Sequence, residues 1–162
     1  MCKRGRTSGE GKGKVAIVTG GAGGVGRAIA RAVAGRGASV VIAARGTEKL
    51  EQAAAELRAG GAQVLAVPAD ITRQEDVDRM LAVTLERFGR LDMLVNNAGR
   101  SARGEVLATT AEEFAELMDL NVIALVRCTR AALPHLLASR GHVVNIGSLA
   151  GKTAARFMGA YS

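Results

Sequence analysis

Short apolar runs alternate with longer amphipathic segments along this chain. The runs are rich in Val, Ile and Leu and occupy residues 15–19, 39–43, 63–67, 91–95 and 141–146. Continuous apolar runs of this length, without polar alternation, predict strands that are buried on both faces of a sheet. The segments between them carry apolar residues three or four positions apart, which is typical of helices with one buried face.

This alternation predicts an α/β fold with a doubly wound, Rossmann-like parallel sheet and helices on both of its faces. We expect about five strands in the order 3-2-1-4-5, and one dinucleotide-binding domain over residues 14–162 that is incomplete at its C-terminus. Residues 1–13 are rich in Gly, Lys and Arg. Their composition predicts a flexible basic leader.

Several helix boundaries can be predicted from side-chain chemistry. Thr72 and Glu75 have the spacing of a capping box, which predicts that a helix begins there. A long helix is predicted over residues 111–138. Asparagine is unfavourable in the interior of a helix, so Asn121 predicts a bend or break at that position. Pro134 is expected to shorten the helix.

The charge of +7 on 162 residues raises the question of nucleic-acid binding. The arginines, however, are spread along the chain, and only four aromatic residues are present. A base-stacking surface is therefore not expected. Because no run of 18 apolar residues occurs, we also expect no membrane span.

Two cysteines, Cys2 and Cys128, are too few for a disulfide framework, which favours a reducing, cytoplasmic compartment. Cys128 lies in an apolar helical run, so we expect it to be a small buried side chain. His135 and His142 have no metal-ligand spacing, and no metal site is predicted.

A glycine cluster follows the first predicted strand and opens the first predicted helix. Its sequence is Thr19-Gly20-Gly21-Ala22-Gly23-Gly24-Val25-Gly26. Small residues let the backbone approach a diphosphate, and a helix N-terminus offers free amide hydrogens and a partial positive charge. The cluster therefore predicts nucleotide binding, with a simple tight turn as the alternative.

Further polar residues fall where the other strands end, at residues 44–45, 70–71, 96–99 and 147–148. In open parallel sheets, ligands bind at the carboxyl ends of the strands, near the point where the strand order reverses. The placement of these residues supports the same nucleotide site.

Five motifs, taken in order, resemble those of the short-chain dehydrogenases/reductases over residues 14–162. They are Thr19-Gly20-x-x-x-Gly24-x-Gly26, Asn96-Asn97-Ala98-Gly99, Asn121, Ser148, and Tyr161 thirteen residues after Ser148. The resemblance implies hydride transfer between a nicotinamide dinucleotide and a carbonyl or secondary alcohol. It further implies that Tyr161 is the general acid/base, that Ser148 holds the substrate oxygen and that Asn121 orders a water-linked proton path.

The resemblance also assigns residues to the cofactor. We expect Asp70, with Ile71 beside it, to meet the adenine, although a turn aspartate before Thr72 is the alternative. Where an acid would bind the ribose 2′-hydroxyl, the chain has Ala44 followed by Arg45, which favours NADP(H) over NAD(H). The remaining cofactor-binding predictions are Thr19, Gly20, Gly24, Val25, Gly26, Asn97, Ala98 and Gly99.

One family residue has no counterpart here. A Lys four positions after the tyrosine lowers the tyrosine's pKa in the family, and that position lies beyond Ser162. We therefore expect a catalytically incomplete fragment of a homo-oligomeric reductase. A nucleotide-binding module without activity is the alternative, and the substrate is not specified by these residues.

Overall fold

The computed structural model describes residues 9–153 and 156–161, except for the side chain at position 106. The chain forms alternating strands and helices, in the order β1 (Val15–Thr19), α1 (Gly24–Ala34), β2 (Ser39–Ala44), α2 (Thr47–Ala59), β3 (Val64–Pro68), α3 (Gln74–Phe88), β4 (Met93–Asn96), α4 (Ala111–Met118), a π-helical turn (Asp119–Ile123), α5 (Ala124–Ser139) and β5 (His142–Asn145). Two 3-10 turns, Val106–Ala108 and Leu149–Lys152, lie in the loops.

The five strands form one sheet in the order β3-β2-β1-β4-β5, and all four neighbouring pairs are parallel. The predicted fold class and strand order are therefore confirmed. In the centre of the sheet Ile17 is aligned with Val41 on one side and with Leu94 on the other. The order reverses between β1 and β4, so their carboxyl ends flank the opening at the middle of the sheet.

The core has two halves because alternate strand residues point to opposite faces of the sheet. On one face Ile17 and Leu94 pack with residues of α3 and α5, and on the other face Val18 and Ile42 pack with residues of α1 and α2. All four strand residues are fully buried. The uninterrupted apolar strands in the sequence thus reflect a sheet that is covered on both faces.

The long predicted helix is interrupted where the sequence predicted a break. Asn121 lies at the centre of the π-helical turn that joins α4 to α5. Pro134 was expected to shorten the helix, and this prediction was wrong, because α5 continues to Ser139 with Pro134 inside it. Packing of α5 against the sheet, through buried residues such as Cys128 and Leu136, offsets the single backbone hydrogen bond that the proline removes.

The predicted capping box at Thr72 and Glu75 does not form. α3 begins at Gln74, and no side chain within the described residues caps it. The Thr72 hydroxyl instead donates to Asp70 Oδ1 at 2.7 Å, and the Thr72 N–H donates to the same oxygen at 3.0 Å. Thr72 therefore shapes the loop after β3 rather than the start of α3.

The end of the predicted leader contacts the body of the domain. The Gly11 N–H donates to the Arg36 carbonyl at 3.1 Å. Residues 1–8 lie outside the described residues. A flexible basic leader, and the domain boundary drawn from it, stay predictions.

Among the described residues, one helical segment, Ala111–Ser139, is long and apolar enough by length and composition to cross a membrane. Its second half nevertheless packs as a core helix, since Ala124, Cys128, Ala132 and Leu136 are buried against the sheet. The absence of a membrane span stays a prediction.

Candidate functional site

A groove of about 360 Å³ opens at the carboxyl ends of β1, β2, β3 and β4, and we call it the glycine-loop groove. It is lined by most of the residues that the sequence assigned to the cofactor, namely Gly20, Val25, Arg45, Asp70, Ile71, Asn97, Ala98 and Gly99. Residues from five separate segments of the chain thus meet at the position predicted from strand topology.

The floor of this groove is the turn between β1 and α1. Gly20 has a φ of 67° and Gly24 a φ of 51°, conformations that favour glycine over any residue with a Cβ. Among the described residues, no side chain caps α1, and its first turn contains no acidic residue. The amide hydrogens of that first turn, with the positive end of the helix dipole, are therefore free to bind an anion.

Three predicted cofactor-binding residues, Thr19, Gly24 and Gly26, do not line the groove, and Thr19 and Gly26 hold its walls together. The Thr19 hydroxyl accepts hydrogen bonds from the N–H groups of Asn97 (3.0 Å) and Ala98 (3.1 Å). Asn97 Nδ2 donates to the Thr19 carbonyl at 3.0 Å. A Cβ on Gly26 would collide with the Gly20 carbonyl oxygen and with Asn97 Nδ2. The loops after β1 and β4 therefore form one interlocked unit.

Arg45 and Asp70 lie on the side of the groove formed by β2 and β3. Partial burial alone would raise the pKa of Asp70, but hydrogen bonds from Thr72 and the positive charges of Arg45 and Arg73 outweigh it and lower the pKa. Asp70 is therefore a carboxylate at neutral pH. Its Oδ1 is occupied by Thr72, so the turn role that the sequence left open is present in the structure.

A second cavity of about 360 Å³ adjoins the groove, and we call it the serine–tyrosine cleft. It is lined by all three predicted catalytic residues, Asn121, Ser148 and Tyr161. Asn97, Ala98 and Gly99 line both cavities, so the loop after β4 is their common wall. A ligand that lies across this loop contacts both cavities.

Ser148 and Tyr161 are positioned by short local turns. Ser148 follows β5 and precedes the 3-10 turn Leu149–Lys152, and its hydroxyl accepts a hydrogen bond from the Ala150 N–H at 3.1 Å. The Tyr161 N–H donates to the Met158 carbonyl at 2.9 Å. The Ser148 hydroxyl keeps its own hydrogen free to donate to a ligand in the cleft.

Asn121 contacts the backbone of the loop after β4. Its Oδ1 accepts from the Arg100 N–H at 3.0 Å, and its Nδ2 donates to the Arg100 carbonyl at 3.0 Å. The side chain thus holds the common wall of the two cavities. A role in a proton path, which the family resemblance implied, stays a prediction.

Leu120 was not predicted from the sequence to line the site, whereas Asn96 was part of the Asn96-Asn97-Ala98-Gly99 motif. Leu120, in the π-helical turn, lines the glycine-loop groove, and its neighbour Asn121 lines the cleft. Asn96 is buried and donates from Nδ2 to Thr129 Oγ1 (3.0 Å) and to Asn145 Oδ1 (2.9 Å). The helix break at Asn121 was the one sequence signal that pointed to Leu120.

A larger cleft of about 610 Å³ lies at the opposite end of the sheet, where α1 and α2 end. The C-terminal ends of both helices contribute to its lining, together with Lys12, Arg31 and Arg36. The described residues contain no group of three or more His, Cys, Asp or Glu side chains suited to a metal ion.

Comparison with known proteins identifies relatives over nearly the whole chain. The family model described as short chain dehydrogenase matches residues 14–162. L-fucose dehydrogenase from Oryctolagus cuniculus is 46% identical over 143 residues, which are 86% of this chain and 48% of that protein. An uncharacterized oxidoreductase from Staphylococcus aureus is 37% identical over 139 residues, 85% of this chain and 59% of the relative. The chain thus spans about half the length of these relatives.

Solved structures show the same architecture. A short chain dehydrogenase/reductase from Burkholderia phymatum in complex with NAD has a TM-score of 0.89 and 34% identity, over 94% of this chain and 55% of the other. A metagenomic short-chain oxidoreductase in complex with NADP has a TM-score of 0.87 and 37% identity, over 93% and 69%. NAD⁺-bound xylitol dehydrogenase has a TM-score of 0.89 and 30% identity, over 94% and 59%.

Proposed function

Because this chain belongs to the short-chain dehydrogenase family of NAD(P)-dependent oxidoreductases, we propose that its two cavities together bind a nicotinamide dinucleotide beside a small carbonyl or secondary alcohol substrate. The observation that carries the proposal is the shared wall Asn97–Gly99. This wall joins the glycine-loop groove, whose free amide hydrogens suit a diphosphate, to the serine–tyrosine cleft, which is lined by Ser148 and Tyr161.

The residues of the groove fit a dinucleotide. The uncapped first turn of α1 and the glycines before it provide amide hydrogens at a surface free of bulky side chains. Asp70 and Ile71 form the opposite wall, where we place the adenine, and Val25 is 60% exposed at the rim. The nicotinamide end would then reach the serine–tyrosine cleft.

We propose NADP(H) as the preferred cofactor because of Arg45. Arg45 follows Ala44 at the end of β2 and lines the groove, and an acidic residue that would repel a 2′-phosphate is missing from both positions. A guanidinium binds phosphate through two parallel hydrogen bonds. The similar solved structures hold NAD in two cases and NADP in one, so the preference depends on this residue rather than on the family.

The chemistry assigned to the chain's own residues is proton transfer and orientation. The bound dinucleotide supplies or accepts a hydride. Ser148 donates a hydrogen bond from its hydroxyl to the substrate oxygen and so fixes the carbonyl in the cleft. Tyr161 gives a proton to that oxygen during reduction and removes it during oxidation. Asn121 holds the loop wall against which both ligands lie.

The substrate is proposed only by class. The names of two similar proteins, L-fucose dehydrogenase and xylitol dehydrogenase, refer to polyhydroxylated compounds, which favours a small hydroxylated carbonyl or alcohol. Assembly as a homo-oligomer, a cytoplasmic location and the absence of nucleic-acid and membrane partners stay predictions from the sequence.

The cofactor proposal is tested by titrating the 162-residue chain separately with NADPH and NADH. The Arg45→Gln variant is expected to bind NADPH about tenfold more weakly, which corresponds to ~1.4 kcal/mol, while NADH affinity changes less than twofold. Lys49→Gln is the matched control, because it removes one exposed positive charge nearby in α2 without touching the groove. An equal loss of affinity for both cofactors, or no loss of affinity for either, contradicts the proposed role of Arg45.

Turnover is tested apart from binding, because the chain spans about half the length of its relatives. NADPH oxidation is followed with a panel of small ketones and aldoses, with Ser148→Ala and Tyr161→Phe as the inactive controls. Binding without turnover favours the alternative, a nucleotide-binding module. Turnover that both controls abolish supports a complete reductase and contradicts the expectation of a catalytically incomplete fragment.

A further inference from the structure

Arg127 contacts two segments of the chain that contribute to the lining of the cavities. It lies in the first turns of α5, and its side chain is 20% exposed. Nη1 donates to the Ile71 carbonyl at 3.2 Å, and Nη2 lies 3.6 Å from Asp119 Oδ1. One guanidinium therefore contacts both the loop after β3 and the first residue of the π-helical turn.

Both partners of Arg127 belong to segments that form the site. Ile71 and Asp70, in the loop after β3, line the glycine-loop groove. The π-helical turn that starts at Asp119 contributes Leu120 to that groove and Asn121 to the serine–tyrosine cleft. A single side chain therefore links the loop after β3 to the turn that carries Asn121.

The geometry favours coupling over a simple surface ion pair. A guanidinium is planar and its donors have fixed directions, so one partner's position restricts the other's. The Arg127 side chain is mostly shielded from water, so its hydrogen bond to the Ile71 carbonyl is stronger than one at the surface, while Asp119, its ion-pair partner, is 43% exposed. The two partners belong to different segments of the chain, Ile71 to the loop after β3 and Asp119 to the π-helical turn that precedes α5.

We propose that Arg127 is a positioning residue that couples occupation of the adenine side of the glycine-loop groove to the placement of Asn121 in the serine–tyrosine cleft. The inference rests on the proposed dinucleotide site. It predicts that a ligand confined to the groove changes the environment of Asn121, and that Arg127 carries this effect.

Adenosine diphosphate is a suitable probe because it has the adenine and diphosphate but no nicotinamide. The side-chain amide signals of Asn121 are followed by ¹⁵N NMR in the 162-residue chain during an ADP titration. In the wild type we expect these signals to shift on saturation. In Arg127→Met we expect at least a threefold smaller shift at saturation, together with about threefold weaker ADP binding.

Arg130→Met is the matched control, since Arg130 is exposed on the next turn of α5 and its loss removes the same charge. Arg127→Lys separates charge from geometry, because an ammonium lacks the planar fork, so we expect ADP affinity to recover more than the Asn121 shift. Asp119→Asn interrupts the other end of the link and serves if Arg127→Met fails to fold. It is expected to reduce the shift as well.

The outcomes distinguish the two proposals. If ADP does not bind the wild-type chain, the dinucleotide site is refuted and the coupling with it. If ADP binds and the Asn121 shift is undiminished in Arg127→Met or, should that variant not fold, in Asp119→Asn, the coupling alone is refuted. A fall in melting temperature with an unchanged shift shows that Arg127 is merely structural and also refutes the coupling.

Discussion

Asn121 and Arg100, 21 residues apart, are joined by two reciprocal hydrogen bonds of 3.0 Å, in which the asparagine side chain replaces a backbone partner. A side-chain amide carries a donor and an acceptor side by side, which is what this arrangement needs. Gly99 is part of the same fit, because a Cβ there would lie 2.9 Å from Asn121 Oδ1. The π-helical turn therefore fixes the loop that separates the two cavities.

Replacement of Asn121 by Ala is expected to destabilise the domain by about 1–2 kcal/mol, since two partly exposed hydrogen bonds are lost. For a chain of this size each kcal/mol lowers the melting temperature by about 2–4 °C. Calorimetry checks this, with Val122→Ala as control because Val122 is the next residue in the same turn and is 42% exposed. Equal melting temperatures for both variants would show that the Arg100 contact contributes no stability.

Replacement of Gly26 by Ala is expected to weaken both folding and dinucleotide binding. Alanine normally favours a helix over glycine by about 1 kcal/mol, yet here its Cβ would press on the Gly20 carbonyl and on Asn97. The steric cost outweighs the gain, because the Gly20 carbonyl is part of the backbone and Asn97 Nδ2 is held by its hydrogen bond to the Thr19 carbonyl. We expect a melting temperature at least 5 °C lower, or about 1.3–2.5 kcal/mol.

Gly23→Ala is the control for this test. Gly23 precedes α1 with a φ of −164°, an extended conformation, and nothing lies within 4 Å of the position that a Cβ would take there. The melting temperature of this variant should match that of the wild type. A Gly26→Ala variant that is as stable as Gly23→Ala would contradict the interlocked arrangement of the loops after β1 and β4.

The sheet was predictable from the sequence because each strand is an uninterrupted apolar run. Val40, Val41 and Ile42 are successive residues with no accessible surface, which only a strand covered on both faces explains. Parallel strands with helical crossovers then leave few strand orders to consider. The motif spacing identified the lining of both cavities for the same reason, since the motifs lie at strand ends.

The errors arose where tertiary contacts outweigh local preference. Thr72 has the right spacing for a cap, but the carboxylate of Asp70 takes both of its donors. Pro134 is tolerated because the packing of α5 stabilises the whole helix. Arg127 was not singled out, because an arginine on an amphipathic helix is usually a solvated residue. Its two partners are 56 and 8 positions away in sequence, and nothing local indicates them.

Asp92 is expected to make the stability of the domain depend on acid pH. It is 3% exposed and accepts hydrogen bonds from the Val15 N–H (2.9 Å) and from Arg90 Nε (2.8 Å) and Nη2 (2.7 Å). Burial alone would raise its pKa, but these bonds and the charges of Arg90 and Lys14 lower the pKa overall. The folded state thus prefers the carboxylate more strongly than the unfolded chain does.

The sign of the effect follows from the lowered pKa. The unfolded carboxyl has a pKa of about 3.9, so the stabilisation is complete above that pH and is lost as the pH falls through the lower folded value. Urea unfolding between pH 2 and 6 should show this loss in the wild type and a shallower loss in Asp92→Asn. Above pH 5 that variant should be less stable by about 1.5–3 kcal/mol. If the stability of the two proteins changed with pH in the same way, Asp92 would be ruled out as the source of the acid-dependent loss of stability.

Cys128 is expected to resist thiol reagents in the folded protein. Burial raises the pKa of the Cys128 thiol to about 11, against a smaller lowering by Arg127, and the residue is 1% exposed. The thiolate is the reactive form, and at pH 8 only a small fraction of the protein molecules carry Cys128 as a thiolate. Burial also keeps the reagent away from that thiolate. In a Cys2→Ser variant, which leaves Cys128 as the only thiol, Ellman's reagent should react at least a hundredfold more slowly in buffer than in 6 M guanidinium. Rapid reaction of one thiol per chain in buffer would mean that α5 separates readily from the sheet. The packing of Ala124, Cys128 and Leu136 would then be too weak to hold α5 in place.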